Sequence, residues 1–571
     1  MGSMRHGATT EHDLNANMST GMLTWVTGDR DLTCRVCGAS STADLIAEVT
    51  ALDEVGLEAV RCRSCESIQL AMEPRDFSPT QRSIDTYVES GAGIGAIAQT
   101  LGEIDHAPGK RFLDVGCSYP FALDLARFLY GWEVLGIEPS PAARRGGREL
   151  GIDVRNELLT PASNIGTGFD LVLASEVVEH VTEPVRFLEA IRGRLAPGGT
   201  VVMTTPAAEI VDPSESQNEI LLAISPGFHV FIASVKGMQM MLDRAGFGWS
   251  AVVRDRGTLR VTARVEAPTE PIVPAHQPVS PDELDRYYEW RGYRARVKSA
   301  LAVGLLTRLF RLRVARGDFV RAGRVLPRLY RSTRAVHRVN LRKPTSGYSR
   351  ARLERNPPHS IIGASFALGM YELLHLDHAE RAAAYFELCE LVATLAQVRS
   401  DIMDGDSMDL MFQAPFHRAL ALAKFDPAGA SALAMTLPAR LDPHHARSAD
   451  FVDSRRCRIY TELVSRGVYV AGSGLDDVIS RRSTVLARDD DPELRTAGLD
   501  AVFSLGMAAL NSGDPARAET WLTQSLGLSL AAPPGTHTSS LIMATRVHLA
   551  MARERVTSEP TRGSTEEMES D

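Results

Sequence analysis

The feature that most restricts the fold is an alternation of strand-like and helix-like segments between residues 111 and 206. Helical stretches separate four short hydrophobic runs: RFLDVG, EVLGIE, FDLVLAS and GTVVMTTP. Strands that alternate with helices form a parallel sheet with crossover helices. The sequence therefore predicts an α/β domain with a mostly parallel, Rossmann-like sheet. Because the chain has 571 residues, this domain accounts for only part of it.

The first hydrophobic run ends in a glycine turn of the kind that binds a nucleotide cofactor. Asp114 closes the strand, and Gly116 permits close approach of a ligand to the backbone. A predicted helix from Phe121 offers its N-terminus to an anionic group. The next run ends in Glu138, where a carboxylate can bind the two hydroxyls of a ribose. These residues alone leave both NAD and S-adenosylmethionine (SAM) open.

Five successive blocks between residues 111 and 247 resemble class I SAM-dependent methyltransferases. They are RFLDVGCSYPFALDLARFL, VLGIE, FDLVLASEVVEHV, FLEAIRGRLAPGGTVVMTTP and FHVFIASVKGMQMMLDRAGF. The resemblance implies that SAM is the cofactor. It also implies that Asp114 and Gly116 contact the methionine part of SAM, that Glu138 binds the ribose, and that Glu157 approaches the adenine.

Further positions follow from the same resemblance. Ser175 and Glu176, after the third of the four hydrophobic runs, would line the junction between cofactor and substrate. The family usually has G-x-G-x-G at the glycine turn, whereas this chain has Gly116-Cys117-Ser118-Tyr119-Pro120. Ser118 is small enough to replace a glycine, but Pro120 stiffens the turn and removes an N–H donor.

Four cysteines near the N-terminus form two CxxC pairs. Cys34 and Cys37 precede Cys62 and Cys65 by a gap of 24 residues. Each CxxC turn directs two sulfurs at one point, and two such turns complete a tetrahedral zinc site. A site with four cysteine ligands has no open position, so the predicted zinc is structural.

The cysteine module followed by the methyltransferase blocks resembles sugar C-methyltransferases of natural-product and surface-glycan pathways. The segments CRVCG and RCRSCESIQLA carry this second resemblance. It implies a small-molecule substrate, a sugar or a related biosynthetic intermediate. The resemblance ends before the C-terminal half, which is α/β in that family and predicted to be helical here.

Two histidines are candidates for the base or for contact with the substrate. His180 ends the EVVEH block beside Glu179, which could orient its ring, and His229 lies in GFHVF. Histidine is the side chain best matched to proton transfer near neutral pH. The alternative is that each histidine caps or packs a helix and that Glu179 is a structural partner.

The chain beyond Pro281 predicts α-helical hairpins that are similar to tetratricopeptide repeats but irregular. Four segments place a turn before a helix with an early alanine, and their Asp or His residues are Asp318, His378, Asp426 and Asp514. Their spacing is uneven, whereas a regular repeat keeps a fixed period. Such arrays present surfaces for a protein partner or for self-association.

These observations divide the chain into six segments. The predicted organisation is a disordered N-terminus (1–30), a zinc-binding module (31–77), the methyltransferase domain (78–266), a proline-rich linker (267–283), the helical domain (284–555) and a disordered acidic tail (556–571).

Charge keeps two other functions open. The net charge is −9, yet residues 286–355 contain 20 Lys and Arg against Glu289, Asp318 and Glu354. Arg321, Arg324, Arg328 and Arg331 recur at helical spacing and could follow RNA phosphates, so an RNA methyltransferase is one alternative. Pairing with acidic neighbours is the plainer explanation of the block. A non-catalytic scaffold with a degenerate methyltransferase domain is the other alternative.

The sequence contains no long apolar stretch of the kind that spans a membrane and no apolar core of signal-peptide type near its start. We therefore expect a soluble, cytoplasmic protein.

Overall fold

A computed structural model describes residues 22–51, 54–70, 80–91, 94–102, 109–215, 217–267, 279–399, 405–437, 448–468, 474–533 and 535–558. The chain divides into two compact units. The first comprises residues 1–342, 347–364 and 394–405, and the second comprises residues 343–346, 365–393 and 406–571.

The strands of the described residues all lie in the first unit and form two sheets. They are β1 (Met22–Thr33), β2 (Ser40–Ala51), β3 (Glu54–Arg61), β4 (Ile68–Leu70), β5 (Arg111–Val115), β6 (Glu133–Ile137), β7 (Val154–Arg155), β8 (Phe169–Ser175), β9 (Leu195–Pro206), β10 (Phe231–Ile232), β11 (Trp249–Asp255) and β12 (Thr258–Arg264). The smaller sheet has the order β1-β2-β3-β4-β10, and the larger has the order β11-β12-β9-β8-β5-β6-β7.

The helices surround the larger sheet and build the second unit. They are α1 (Gln81–Ser90), α2 (Ile94–Gly102), α3 (Phe121–Tyr130), α4 (Pro141–Leu150), α5 (Pro184–Arg192), α6 (Gln217–Ile224), α7 (Val235–Arg244), α8 (Pro281–Arg294), α9 (Ala300–Ala315), α10 (Phe319–His337), α11 (Arg350–Arg355), α12 (His359–Leu374), α13 (Ala379–Arg399), α14 (Gly405–Leu422), α15 (Pro427–Met435), α16 (Ser448–Ser465), α17 (Gly474–Leu486), α18 (Pro492–Asn511), α19 (Pro515–Ala531) and α20 (Thr536–Ser558).

The larger sheet confirms the predicted α/β fold class. The four hydrophobic runs form β5, β6, β8 and β9, which pair in parallel. Strands β5 and β8 are covered on both faces, so their residues are buried almost continuously. Strand β12 pairs with β9 in antiparallel fashion, and β11 pairs with the other side of β12, also in antiparallel fashion. Because the carboxyl ends of parallel strands share one edge of a sheet, the loops after β5, β6 and β8 meet there.

The expected disorder of residues 1–30 is wrong for residues 22–30. They belong to β1, which pairs with β2 from Met22↔Thr50 to Thr33↔Ser40. Polar residues and a register shift between Trp25 and Gly28 interrupt the alternation of apolar and polar side chains along β1. The strand is therefore hard to recognise in the sequence. Residues 1–21 lie outside the described residues.

The predicted linker at 267–283 is wrong at its end, and it does not separate two bodies. Residues 268–278 lie outside the described residues, but α8 already begins at Pro281. Its N-cap is Ser280, whose side chain accepts a hydrogen bond from the amide of Glu283. The Glu283 carboxylate in turn accepts a hydrogen bond from the amide of Ser280. Helices α8, α9 and α10 belong to the first unit, so the predicted helical domain 284–555 is not one body.

The four similar segments of the C-terminal half each mark the start of a helix. Asp318, Asp426 and Asp514 accept hydrogen bonds from the amides three residues further on. His378 directly precedes α13. A carboxylate at this position satisfies an amide that the first turn leaves unpaired. The predicted acidic tail 556–571 begins within α20, which ends at Ser558, and residues 559–571 lie outside the described residues.

Much of the basic block at 286–355 is paired within the first unit. Arg291 bonds Asp124, and Arg313 bonds Asp285 at 2.7 and 2.8 Å. Arg321 also bonds Asp285, at 2.5 Å, and Arg328 donates to the carbonyls of Tyr293 and Ala295. These contacts support pairing with acidic neighbours as the explanation of the charge.

Within the described residues, no helix combines the length and the apolar character that crossing a membrane requires.

The pair between Asp124 and Arg291 is the clearest stability test, because Asp124 is fully buried and also accepts from Tyr287 at 2.9 Å. Replacing Asp124 by Asn leaves a buried guanidinium without its counter-charge, which costs about 3–5 kcal/mol. We therefore expect Asp124→Asn to lower the urea midpoint of unfolding strongly. The control Glu354→Gln removes the exposed pair with Arg350 and should change it little. Equal effects of the two variants would contradict this role of the buried pair.

Candidate functional site

The glycine turn after β5 is built around close backbone contact. Gly116 has φ +74°, and its amide donates to the carbonyl of Ile137 at 2.9 Å. A Cβ at this position would lie 2.4 Å from Cγ2 of Val177. The turn therefore needs glycine both for its conformation and for the space beside the strand ends.

The turn continues through a strained residue that a tyrosine supports. Ser118 has φ +45°, a conformation that L-residues rarely adopt. Tyr87 on α1 lies beside Ser118 and Asp114, and burial together with the Asp114 charge raises the pKa of Tyr87 to about 12. Tyr87 thus lies against the turn as an uncharged hydroxyl.

Asp114 and Glu138 lie at the ends of neighbouring strands. Burial, and then the charge of Glu138, hold the pKa of Asp114 well above its usual range. Oε1 of Glu138 accepts from the amide of Ser140 at 2.8 Å, which fixes the carboxylate at the start of α4. Two carboxylates side by side at a glycine turn suit a ligand that offers hydroxyl and ammonium donors.

Glu157 stands apart from these residues. It is exposed in the loop that follows β7. The neighbouring Asn156 donates from Nδ2 to the carbonyl of Glu138 at 2.9 Å, so the loop is attached next to the end of β6.

The end of β8 presents Ser175 and Glu176 at the same sheet edge. Oγ of Ser175 lies 2.6 Å from Oγ1 of Thr204, and the amide of Glu176 donates to the Thr204 carbonyl at 2.8 Å. Glu176 has φ +56°. The residue is exposed, and desolvation by the surrounding protein still raises the pKa of its side chain.

Glu179, His180 and His229 form a cluster directly after this strand. One ligand-type atom from each residue lies within 4.8 Å of the other two. The rings of His180 and His229 meet edge to face at 4.7 Å, and Nε2 of His180 lies 3.8 Å from Oε1 of Glu179. Glu179 is fully buried, whereas the His180 side chain is 42% exposed.

Burial determines the protonation of the cluster. It lowers the pKa of His180, and it lowers the pKa of His229, with a contribution from His180, to about 4. Both rings are therefore neutral at pH 7. Burial and the nearby charge of Glu176 hold the pKa of Glu179 well above its usual range.

The two CxxC motifs bring their sulfurs together as predicted. Sγ of Cys34 lies 3.6 Å from Sγ of Cys65, and Sγ of Cys37 lies 3.7 Å from Sγ of Cys62. Four thiolates around zinc, with bonds of about 2.3 Å, lie about 3.8 Å apart in a tetrahedron. The four cysteines therefore fit a zinc ion.

The cysteine module is joined to the histidine cluster by backbone pairing. Strand β4 pairs with β10 through Phe231↔Gln69 and Ile232↔Ile68, directly after His229. The amide of Leu70 donates to the carbonyl of Val230, whose own amide donates to the carbonyl of Glu179. The segment that contains His229 is thus held between the smaller sheet and the loop after β8.

Three site residues were not identified from the sequence. Tyr87 lies outside every motif, and its position depends on packing of α1 across the glycine turn. Thr204 and Thr205 lie in β9, whose sequence indicated only a strand. Their hydroxyls hold Ser175 and Glu179. The sequence contained one indication of their role: both threonines lie near the carboxyl end of a predicted parallel strand, where ligands bind in such sheets.

The sheet order, the glycine turn and the acidic residue after β6 define a class I SAM-dependent methyltransferase domain. In agreement, residues 75–249 match a family model described as "Methyltransferase domain".

Curated relatives match part of the same region. A ubiquinone biosynthesis O-methyltransferase of Cereibacter sphaeroides (strain KD131) is 38% identical over 106 residues, which are 17% of this chain and 41% of the relative. The enzyme of that name from Ruegeria pomeroyi is 35% identical over 118 residues, which are 19% of this chain and 47% of the relative. The chain thus spans less than half the length of these relatives.

Solved structures of methyltransferases are also similar in part. An S-adenosylmethionine-dependent methyltransferase of Mesorhizobium loti is 19% identical with a TM-score of 0.25, over 31% of this chain and 99% of that one. An O-methyltransferase family protein of Burkholderia thailandensis is 14% identical with a TM-score of 0.28, over 33% of this chain and 59% of that one.

The glycine turn gives a test of the cofactor site. In Gly116→Ala the new Cβ meets Val177 and the residue keeps a left-handed backbone, so we expect SAM affinity to fall at least about tenfold because the turn must move away from the strand ends. Titration calorimetry measures the affinity. Gly131→Ala is the matched control, since Gly131 has φ +68° with no atom within 4 Å of a Cβ. Equal losses in both variants would show that the close approach at Gly116 is unimportant.

Proposed function

We propose that the protein transfers the methyl group of SAM to a hydroxyl of a polar small molecule, a sugar or a related biosynthetic intermediate. The observation on which this rests is the position of the Glu179, His180 and His229 cluster, which follows β8 at the sheet edge where Asp114 and Glu138 lie. The matched relatives are named as O-methyltransferases, which supports oxygen as the acceptor atom. The cytoplasmic location expected from the sequence is part of the proposal.

The residues present fit SAM. Gly116, where a side chain would meet Val177, keeps the turn close to the strand ends, and the turn and the neighbouring Asp114 would contact the methionine part of the cofactor. Glu138, held by Ser140, would accept the ribose hydroxyls. When bound, SAM supplies an electrophilic methyl group on a sulfonium.

The cluster would receive the acceptor. Methyl transfer is an in-line displacement whose rate depends on holding the attacking oxygen close to the methyl carbon and aligned with it. A hydroxyl becomes a good nucleophile only as its proton leaves. Two neutral imidazoles and a buried carboxylate at one point of the sheet edge provide the donors and acceptors for both tasks.

We further propose that the four cysteines hold structural zinc, which orders the smaller sheet. Cys62 and Cys65 directly precede β4, and the carbonyl of Cys65 accepts from the hydroxyl of Ser234, the N-cap of α7. Zinc would therefore stabilise both the module and the segment with His229. The helical second unit remains a proposed surface for a protein partner or for self-association.

Removing the cluster's carboxylate tests the proposed activity. We expect Glu179→Gln to lower the rate of methyl transfer about 10²–10⁴-fold, because an amide cannot exchange a proton as the Glu179 carboxyl group can, with SAM affinity retained. The assay follows label from methyl-tritiated SAM into the small-molecule fraction of a cell extract, with product identification by mass spectrometry. Glu183→Gln, in the same loop and 63% exposed, is the control. No transfer by the wild-type protein, or equal rates for both variants, would contradict the proposal.

Loss of one cysteine ligand tests the zinc site. We expect elemental analysis to find zinc in the wild type and none in Cys34→Ser. The variant should also unfold at a lower temperature, and it should transfer methyl groups more slowly because the segment with His229 becomes less ordered. Cys457→Ala, a buried cysteine of the second unit, should keep its zinc. A wild-type protein without zinc would refute the proposal, as would a Cys34→Ser variant that keeps it.

A further inference from the structure

The glycine turn after β5 holds a conformation that its own residues do not favour. Ser118 stands at a position where the methyltransferase family usually has glycine, and its φ of +45° lies in the left-handed region. Pro120 follows at the next such position and has no N–H donor. Backbone strain of this kind persists only where the surrounding structure holds it in place. The turn therefore depends on neighbouring side chains for its shape.

Helix α1 provides two contacts that support the turn. Tyr87 lies beside the strained serine. Asp85 pairs with Arg145 of α4 at 2.6 Å, and the same guanidinium pairs with Glu149 at 2.9 Å. The hydroxyl of Tyr119, the turn residue after the serine, donates to Glu149 at 2.7 Å. The position of α1 thus affects the turn both directly and through α4.

Glu89 attaches α1 to helices that follow the proline-rich segment. Its side chain is 3% exposed, and its Oε1 lies 2.8 Å from Nε2 of His337, the last residue of α10. Its Oε2 accepts from the hydroxyl of Ser360 in the first turn of α12 at 2.6 Å. Loss of a partner from a buried carboxylate is costly, because the carboxylate remains out of water. These two hydrogen bonds therefore hold the end of α1 in one place.

Gly304 of α9 brings a third helix against the same end of α1. A Cβ at Gly304 would lie 2.7 Å from the carbonyl oxygen of Val88 and 2.9 Å from Cα of Glu89. Both of these are backbone atoms, so the close approach of the two helices requires glycine. The contact leaves α1 no room to move toward α9.

We propose that Glu89 is a positioning residue for the cofactor site, and that α9, α10 and α12 determine the affinity for SAM by holding α1 against the glycine turn. This inference rests on the cofactor site of the proposed function. The chain compensates for the missing glycine at Ser118 with contacts from helices outside the sheet. The helices beyond the proline-rich segment thereby gain a role in the site that they do not touch.

Ser360→Ala tests the proposal, because it removes one hydrogen bond of Glu89 and leaves the carboxylate and His337 in place. We expect the affinity for SAM, measured by titration calorimetry on the full chain, to fall about two- to thirtyfold. Ser332→Ala is the matched control, since Ser332 is a fully buried serine of α10 whose hydroxyl has no hydrogen-bond partner among the described residues. Alanine occupies nearly the same volume as serine, so both variants should keep their fold, which the thermal unfolding temperature verifies.

Ser118→Gly distinguishes positioning from a general loss of stability. Glycine adopts the left-handed conformation without strain, so the turn no longer needs the support of α1. In the Ser118→Gly background, Ser360→Ala should change the affinity for SAM by about twofold or less, although it lowers the unfolding temperature as much as it does in the wild-type background. A purely structural role of Ser360 would give the same loss of affinity in both backgrounds.

The outcomes separate this inference from the proposed function. Equal affinities of the wild type and Ser360→Ala, or equal losses in the two backgrounds, would overturn the positioning role while methyl transfer by the wild type still supports the function. If the affinities change as expected but the wild type transfers no methyl group to any acceptor, the positioning role stands and the proposed function fails. A wild-type protein that does not bind SAM would refute both.

Discussion

The pairing of the short strands β4 and β10 is the interaction on which the candidate site depends. β4 belongs to the cysteine module, whereas β10 follows His229 in the methyltransferase domain. Two strands of two and three residues would not pair stably alone. They are supported by the hydroxyls of Ser67 and Ser234 and by the turn at Cys62 and Cys65. The module thereby becomes part of the wall that holds His229 against Glu179.

Buried charge has a comparable role in attaching the helices that follow the proline-rich segment. Asp124 in α3 and Asp285 in α8 each receive arginines from the helices that follow the proline-rich segment. Breaking such a pair costs far more than an exposed pair contributes. The basic block thus fixes α8–α10 within the first unit, which explains why the domain does not end where its sheet ends.

The sequence was most informative where local pattern decides structure. Strands β5, β6, β8 and β9, the glycine turn and the helix starts at Asp318, Asp426 and Asp514 follow from hydrophobic runs, φ requirements and capping, all of which are local. The contacts of Tyr87, Thr205 and β10 depend on residues distant along the chain, so no local pattern reveals them. The prolines at 268–281 predicted a boundary, but the capping box at Ser280 and the buried arginines join the next helices to the domain.

We propose that cofactor and acceptor meet at the edge formed by Asp114, Glu138 and the Glu179, His180 and His229 cluster. A crystal structure of the full chain with S-adenosylhomocysteine tests it most directly. We expect Glu138 to accept hydrogen bonds from the ribose hydroxyls and the sulfur to face the cluster, with room between sulfur and cluster for a methyl group and one acceptor oxygen at about 3–3.5 Å. A ligand bound elsewhere, or a sulfur directed away from the cluster, would contradict it.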